Sequence, residues 1–236
     1  MISSKRTLKE IKCGETGTGI LIENDGYISL DIGRNKAICE SVRTGEDGWN
    51  VPYPFILDTV FQKCDIENAN KRIYPKAVLM REVDKYQQRI AEHRATGEAD
   101  HPSETTISIR GICLNVIELH WEKQTLVGKV EILTSEGFRR HGVISCWGDY
   151  VANLILSGIK IGVSSRGVGS VESRYGKTIV DDDFELICFD AVTEPSTPNA
   201  WMMTEPEKEK QAYVEGRETN KSALSERLSR MEMLLN

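Results

Sequence analysis

No apolar run in these 236 residues approaches the length needed to cross a bilayer; the longest are strand-sized. The N-terminus, MISSKRTLKE, has no apolar core of the kind a secretory leader requires. Together these absences predict a chain that stays in the cytoplasm in which it is made and does not engage a membrane. Six cysteines (Cys13, Cys39, Cys64, Cys113, Cys146, Cys188) stand singly, none at the close spacing of a zinc knuckle, so no metal site is expected. In a reducing compartment they are expected as small buried hydrophobes. Positive charge is scarce and dispersed: 30 Lys and Arg against 36 Asp and Glu give a net charge of −6. Phosphate binding needs a concentrated basic face, so nucleic acid is not an expected partner. Also missing are G-x-S-x-G, the Gly-Lys-Ser/Thr ending of a phosphate loop, the dinucleotide glycine spacing and any internal repeat.

What is present is an ordinary globular composition, 39% hydrophobic and 28% charged, long enough for one domain with a real core plus a tail. Gly19–Ile22 and Tyr27–Leu30 around Asn24-Asp25-Gly26 predict a hairpin, and residues 54–66 predict a further strand. Pro75 opens a helix whose apolar positions Leu79, Val83, Tyr86 and Ile90 recur at helical spacing and which ends before Gly97. Residues 107–119 and 126–133 predict an antiparallel pair, and 147–157 a second helix closed by Gly158. A strand over 159–163 runs into Ser164, and the last strands cover 178–180 and 184–192. Leu224, Leu228, Met231 and Leu235 make a short amphipathic stripe at the C-terminus. Strands dominate without regular strand–helix alternation, which predicts a mainly β fold with peripheral helices, arranged as an antiparallel barrel. The expected organisation is an N-terminal strand-rich extension (1–50), a central domain (51–201) and a charged linker with a short helix (202–236).

Three segments carry residue types suited to chemistry. In Gly97-Glu98-Ala99-Asp100-His101-Pro102, a histidine in a tight loop after a helix is held rigidly near the surface, which suits proton exchange. Gly162-Val163-Ser164-Ser165-Arg166-Gly167-Val168-Gly169-Ser170 predicts a small-residue loop entered from a strand end. Ser164 there is placed as a nucleophile if a base lies beside it, and free N–H groups could hold an oxyanion. In Phe184–Ala200, Asp190 interrupts an apolar strand, where a carboxylate needs a partner such as histidine unless it reaches solvent. Asp100, His101 and His120 give a metal-dependent alternative whose spacing matches no metal motif.

These segments, GEADHP, GVSSRGVGS and FDAVTEPSTPNAW, follow Asn68-Ala69-Asn70-Lys71-Arg72-Ile73-Tyr74-Pro75 in the chain. In that order they resemble the prohead core proteases of large contractile-tailed phages, a family similar to the herpesvirus maturation proteases, over residues 55–201. The resemblance implies a closed antiparallel barrel and a serine endopeptidase without cofactor that acts inside the procapsid in the host cytoplasm. Its implied substrates are scaffolding core proteins and the major capsid protein, and a homo-oligomer is expected. It implies His101 as base, Ser164 as nucleophile and Asp190 as the third member, with Glu98 and Asp100 as rivals for that place. Ser165, Arg166 and Gly167 are the expected oxyanion and substrate-binding positions. Cleavage after Glu in Leu/Ile-x-Glu sequences is implied too, with Arg166, Arg110 and Lys160 as candidates for a basic pocket. The pattern recurs in this chain at Leu8-Lys9-Glu10, Leu21-Ile22-Glu23, Ile38-Cys39-Glu40, Ile90-Ala91-Glu92 and Leu224-Ser225-Glu226. Terminal accessibility makes Glu226 and Glu10 the expected self-cleavage sites. A non-enzymatic virion protein on the same barrel is the alternative class.

Overall fold

A computed structural model describes residues 8–23, 51–102, 104–193 and the backbone of 202–203. The expected strand at 27–30, the turn residues 194–199 and the C-terminal amphipathic helix lie outside the described residues. In chain order the elements are β1 (Gly17–Ile22), β2 (Phe55–Lys63), β3 (Arg72–Ile73), α1 (Lys76–Ala91), β4 (Thr96–Glu98), β5 (Ile112–Glu122) and β6 (Thr125–Ile132). They continue with α2 (Glu136–His141), α3 (Trp147–Leu156), β7 (Gly162–Arg174), β8 (Lys177–Val180), β9 (Glu185–Val192) and β10 (Met202–Met203).

The segment 162–174 is one long strand, where the sequence predicts a strand that stops at Ser164 and enters a loop. Its glycines serve packing: a Cβ on Gly167 would lie 2.4 Å from the Phe184 ring, and one on Gly169 2.8 Å from the Phe184 Cα. The small residues let Phe184 cross close over the strand, so a composition that suggests a loop is compatible with β structure. β7 is the spine of the first sheet. β1 pairs antiparallel along one side, Ile22 opposite Arg166 and Gly17 opposite Val171. Along the other side β9 and β8 lie end to end, Ser164 opposite Asp190 and Val171 opposite Val180. β3 adds in parallel to β8.

In the second sheet the antiparallel order runs β2-β6-β5-β4. The closed barrel is not formed: both sheets are open. Closure requires every strand to have a ladder on both sides. Here β3 and β4, two and three residues long, end their sheets. Among the described residues the sheets meet at a corner, through the parallel bridge Ala99–Ala191 and the Asp100 N–H donating to the Ala191 carbonyl at 2.8 Å. One apolar core fills the space between them. Phe61 of β2 meets Phe189 of β9 edge-on at 4.8 Å, and Tyr86 of α1 meets the same ring at 5.4 Å. α1 begins just after Pro75 and buries Leu79, Val83 and Tyr86, as its periodicity predicts. Of the five described cysteines, Cys64, Cys113 and Cys188 are buried, while Cys13 and Cys146 are exposed.

Candidate active site

Strand alternation sorts the residues around Ser164. Side chains two apart share a face, so Ser164 and Arg166 point with Cys188 and Asp190 across the β7–β9 ladder, and Ser165 points away. Ser165 Oγ indeed donates to Gln62 Oε1 of β2 at 2.9 Å. Asp190 is fully buried, not at the solvent end of its strand. Its Oδ2 is 2.8 Å from His101 Nδ1 and accepts from Arg166 Nε at 2.8 Å. Its Oδ1 accepts from the Glu98 N–H at 2.9 Å, from Arg166 Nη2 at 3.3 Å and from the Cys188 thiol at 3.3 Å. Burial alone would raise the Asp190 pKa, but the His101 hydrogen bond, the His101 and Arg166 charges and the Glu98 N–H outweigh it and hold it below the ordinary carboxylate range. An ionised Asp190 can only accept, so Nδ1 carries a proton, and in the neutral ring Nε2 is then the acceptor. Nε2 is buried and has no hydrogen-bond partner. The imidazole, expected near the surface, is 1% exposed.

Arg166 was expected to face substrate; its guanidinium is instead wholly buried and committed. Besides Asp190, it donates to Glu98 Oε2 at 2.6 Å and to the carbonyls of Pro102 and Glu104 at 3.3 and 2.6 Å. It thus grips the chain on the C-terminal side of His101 while fixing the carboxylate on which the ring rests. Two anions on one cation leave no net positive charge for a substrate carboxylate. Of the three acidic side chains weighed as partner of His101, Asp190 is the one bonded to it; Glu98 serves Arg166. Asp100 sits at φ 62°, its N–H bound to Ala191. Arg110 is exposed, Lys160 is half-buried, and neither enters this network. His120 lies 3.2 Å from Glu118 on the exposed face of β5, and among the described residues no group of three or more His, Cys, Asp and Glu is disposed to hold a metal. Gly167 is paired on both sides, with Leu21 and Leu186.

Ser164 Oγ donates to the main-chain carbonyl of Glu23 at 2.6 Å, not to His101. Glu23 follows the end of β1 and is itself fully buried. Its Oε2 accepts from Asn68 Nδ2 at 2.6 Å and Asn70 Nδ2 at 2.8 Å; its Oε1 accepts from Arg72 Nη1 at 3.2 Å and from the Tyr74 hydroxyl. Arg72 also reaches the carbonyls of Ile11 and of Ile22, the latter at 3.1 Å. Burial and the Glu23 charge push the Tyr74 pKa far up, so the phenol remains a donor. Sequence reasoning noted Asn68–Pro75 for its resemblance and assigned it no role. The clustering of two amides, a guanidinium and a phenol within seven residues was the available signal.

Comparison with known proteins gives these arrangements a setting. Residues 20–212 match the family of the prohead core protein serine protease. The chain is 31% identical over 149 residues to the prohead core protein protease of Enterobacteria phage T4, an alignment covering 62% of this chain and 66% of that protein, just under two thirds of its length. The structure of the bacteriophage T4 capsid assembly protease superposes with a TM-score of 0.54 at 26% identity, covering 59% of this chain and 82% of that one. The chain therefore belongs to the prohead core protein serine protease family.

Proposed function

We propose that the protein is a serine endopeptidase of phage head maturation, with Ser164 as nucleophile, His101 as general base and Asp190 as the group that orients the imidazole. The observation that carries this is the buried His101–Asp190 hydrogen bond, with Nε2 left unpartnered and Ser164 directly across the ladder from Asp190. In the reaction the Ser164 proton passes to Nε2 as Oγ attacks the scissile carbonyl, and His101 returns it to the leaving amine. Asp190 fixes the tautomer and stabilises the imidazolium. Arg166, its side chain committed to Asp190 and Glu98, acts as a brace. Of the positions expected to hold the oxyanion, we assign the main chain of Ser165, which precedes the first β1–β7 pair at Arg166.

As substrates we propose the prohead core and capsid proteins, cut after glutamate within a procapsid in the host cytoplasm by an oligomer of this chain. Self-cleavage is proposed too, after Glu226 and Glu10. The test is expression with and without Ser164→Ala. Wild type should hydrolyse core protein and take a fluorophosphonate label on the Ser164 peptide. Ser164→Ala and His101→Ala should each lose on the order of a thousandfold or more in kcat/KM, and the double variant little beyond that. Full activity in Ser164→Ala would remove the assignment.

A further inference from the structure

The cradle around Glu23 lies outside the proposed triad yet ends on its nucleophile. We infer that Asn68, Asn70, Arg72 and Tyr74 form the site that selects a glutamate side chain beside the scissile bond, filled here by Leu21-Ile22-Glu23 of the same chain as a substrate held in cis. The inference rests on the assignment of Ser164 as nucleophile.

Four features converge. First, among the described residues each carboxylate oxygen of Glu23 accepts from two donors, and these four donors come from residues 68–74. Four donors converging on one carboxylate favour it over a glutamine, whose amide nitrogen would face two of them. An aspartate, one methylene shorter, would fall short of them.

Second, the main-chain carbonyl that accepts from Ser164 Oγ at 2.6 Å belongs to Glu23 itself. It is the carbonyl that a cut after Glu23 would attack. Third, the residues before it approach as a strand: Leu21 and Ile22 pair antiparallel with Gly167 and Arg166. This main-chain addition holds an extended peptide whatever its side chains, leaving selection to alternate positions. Leu21 and Glu23 are two apart and share a face. The Leu-x-Glu pattern thus specifies the two residues on one face and leaves the one between them free. Fourth, the His101 Nε2 that would receive the hydroxyl proton is buried without a partner. A buried Glu–Arg pair placed for stability alone gains little over an apolar pair, and nothing in that role requires it to end on Ser164.

The step balances without any co-reactant but water. Ser164 Oγ bonds to the Glu23 carbonyl carbon and its proton moves to Nε2. The C–N bond after Glu23 breaks, and the new amine takes that proton. Water then hydrolyses the ester through His101, leaving a free Glu23 carboxylate and restoring Ser164. Departure of the segment opens the cradle to other chains.

The test uses full-length protein and two peptides that differ only in Glu or Gln before the scissile bond. Wild type should favour Glu by on the order of a hundredfold or more in kcat/KM. Asn70→Asp, which sets a carboxylate against the substrate's own, should cut that ratio at least tenfold. Tyr74→Phe, which removes one donor and little volume, should lower it in the same direction and carries the measurement if Asn70→Asp fails to fold. Intact mass under denaturing conditions should show the bond after Glu23 cut in wild type, in fragments ending at Glu23 and beginning at residue 24 whether or not Glu10 and Glu226 are also cut, and one full-length species from Ser164→Ala. An unchanged Glu-to-Gln ratio in both variants, with Ser164→Ala inert, overturns the cradle and leaves the nucleophile standing. An active wild type whose bond after Glu23 stays intact overturns the cis occupant. An active Ser164→Ala overturns both the inference and the assignment beneath it.

Discussion

Asp190 gathers His101, Arg166, Cys188 and the Glu98 N–H onto one buried carboxylate, and Arg166 passes the same charge on to Glu98. Such networks tolerate no missing member. Arg166→Gln should leave two buried carboxylates without their cation and cost about 3–5 kcal/mol, read as a lower urea midpoint. On the proposed mechanism, Asp190→Asn should lower kcat by on the order of ten-thousandfold by misorienting the imidazole, whereas Asp100→Asn should stay within about tenfold of wild type. Steady-state kinetics on one peptide substrate separates the two carboxylates. His101, Ser164 and Asp190 are legible as residue types in suggestive settings. Arg166 is not, because its inward direction follows only once 162–174 is known to be a strand. Read as a loop, the same segment turns Arg166 toward substrate.

Among the elements, α1 is the most legible, since four apolar positions at helical spacing outlast any error at its ends. α2 is six residues long, too short for a period, and is marked instead by its caps: Ser135 Oγ accepts from the Phe138 N–H at 3.1 Å, and Gly142 closes it at φ 68°. β4, three residues, offers no alternation at all. The connection between β6 and α3 hangs on Asp149. Its carboxylate accepts from the N–H and hydroxyl of both Ser135 and Ser145 and from the Cys146 N–H. Asp149→Ala removes the one buried acceptor these part-buried and exposed donors share and should cost about 1–3 kcal/mol by thermal or urea unfolding. Burial would raise the pKa of Asp149 and of Glu82, yet hydrogen bonds outweigh it and hold both low, as at Asp190. Depressed carboxylates contribute stability above their unfolded pKa and lose it as pH falls through the folded one. The melting temperature should therefore hold from pH 7 down to about 5 and fall below about 4, and Asp149→Asn should flatten part of that fall.

At the scale of the whole molecule, the mainly β composition is legible and the closure is not. Strand-rich chains of this size close or stay open according to which strands neighbour which, and here β3 and β4 are too short to announce themselves as the ends of sheets. The open arrangement makes a prediction a barrel would not. His101 follows β4 of one sheet, while Ser164 and Asp190 lie on β7 and β9 of the other, across the Ala99–Ala191 corner. In a urea titration, peptide hydrolysis should be lost at a lower concentration than far-UV circular dichroism, because the corner parts before either ladder melts. Coincident midpoints would mean that the sheets unfold as one. On the proposed mechanism, division of the site between sheets also has a consequence in time. A chain still emerging from the ribosome carries His101 long before residues 164 and 190 exist, and even a complete chain holds only separate parts until the sheets dock. Synthesis order and folding thereby set an earliest moment for proteolysis, a delay written into the topology and needing no inhibitor.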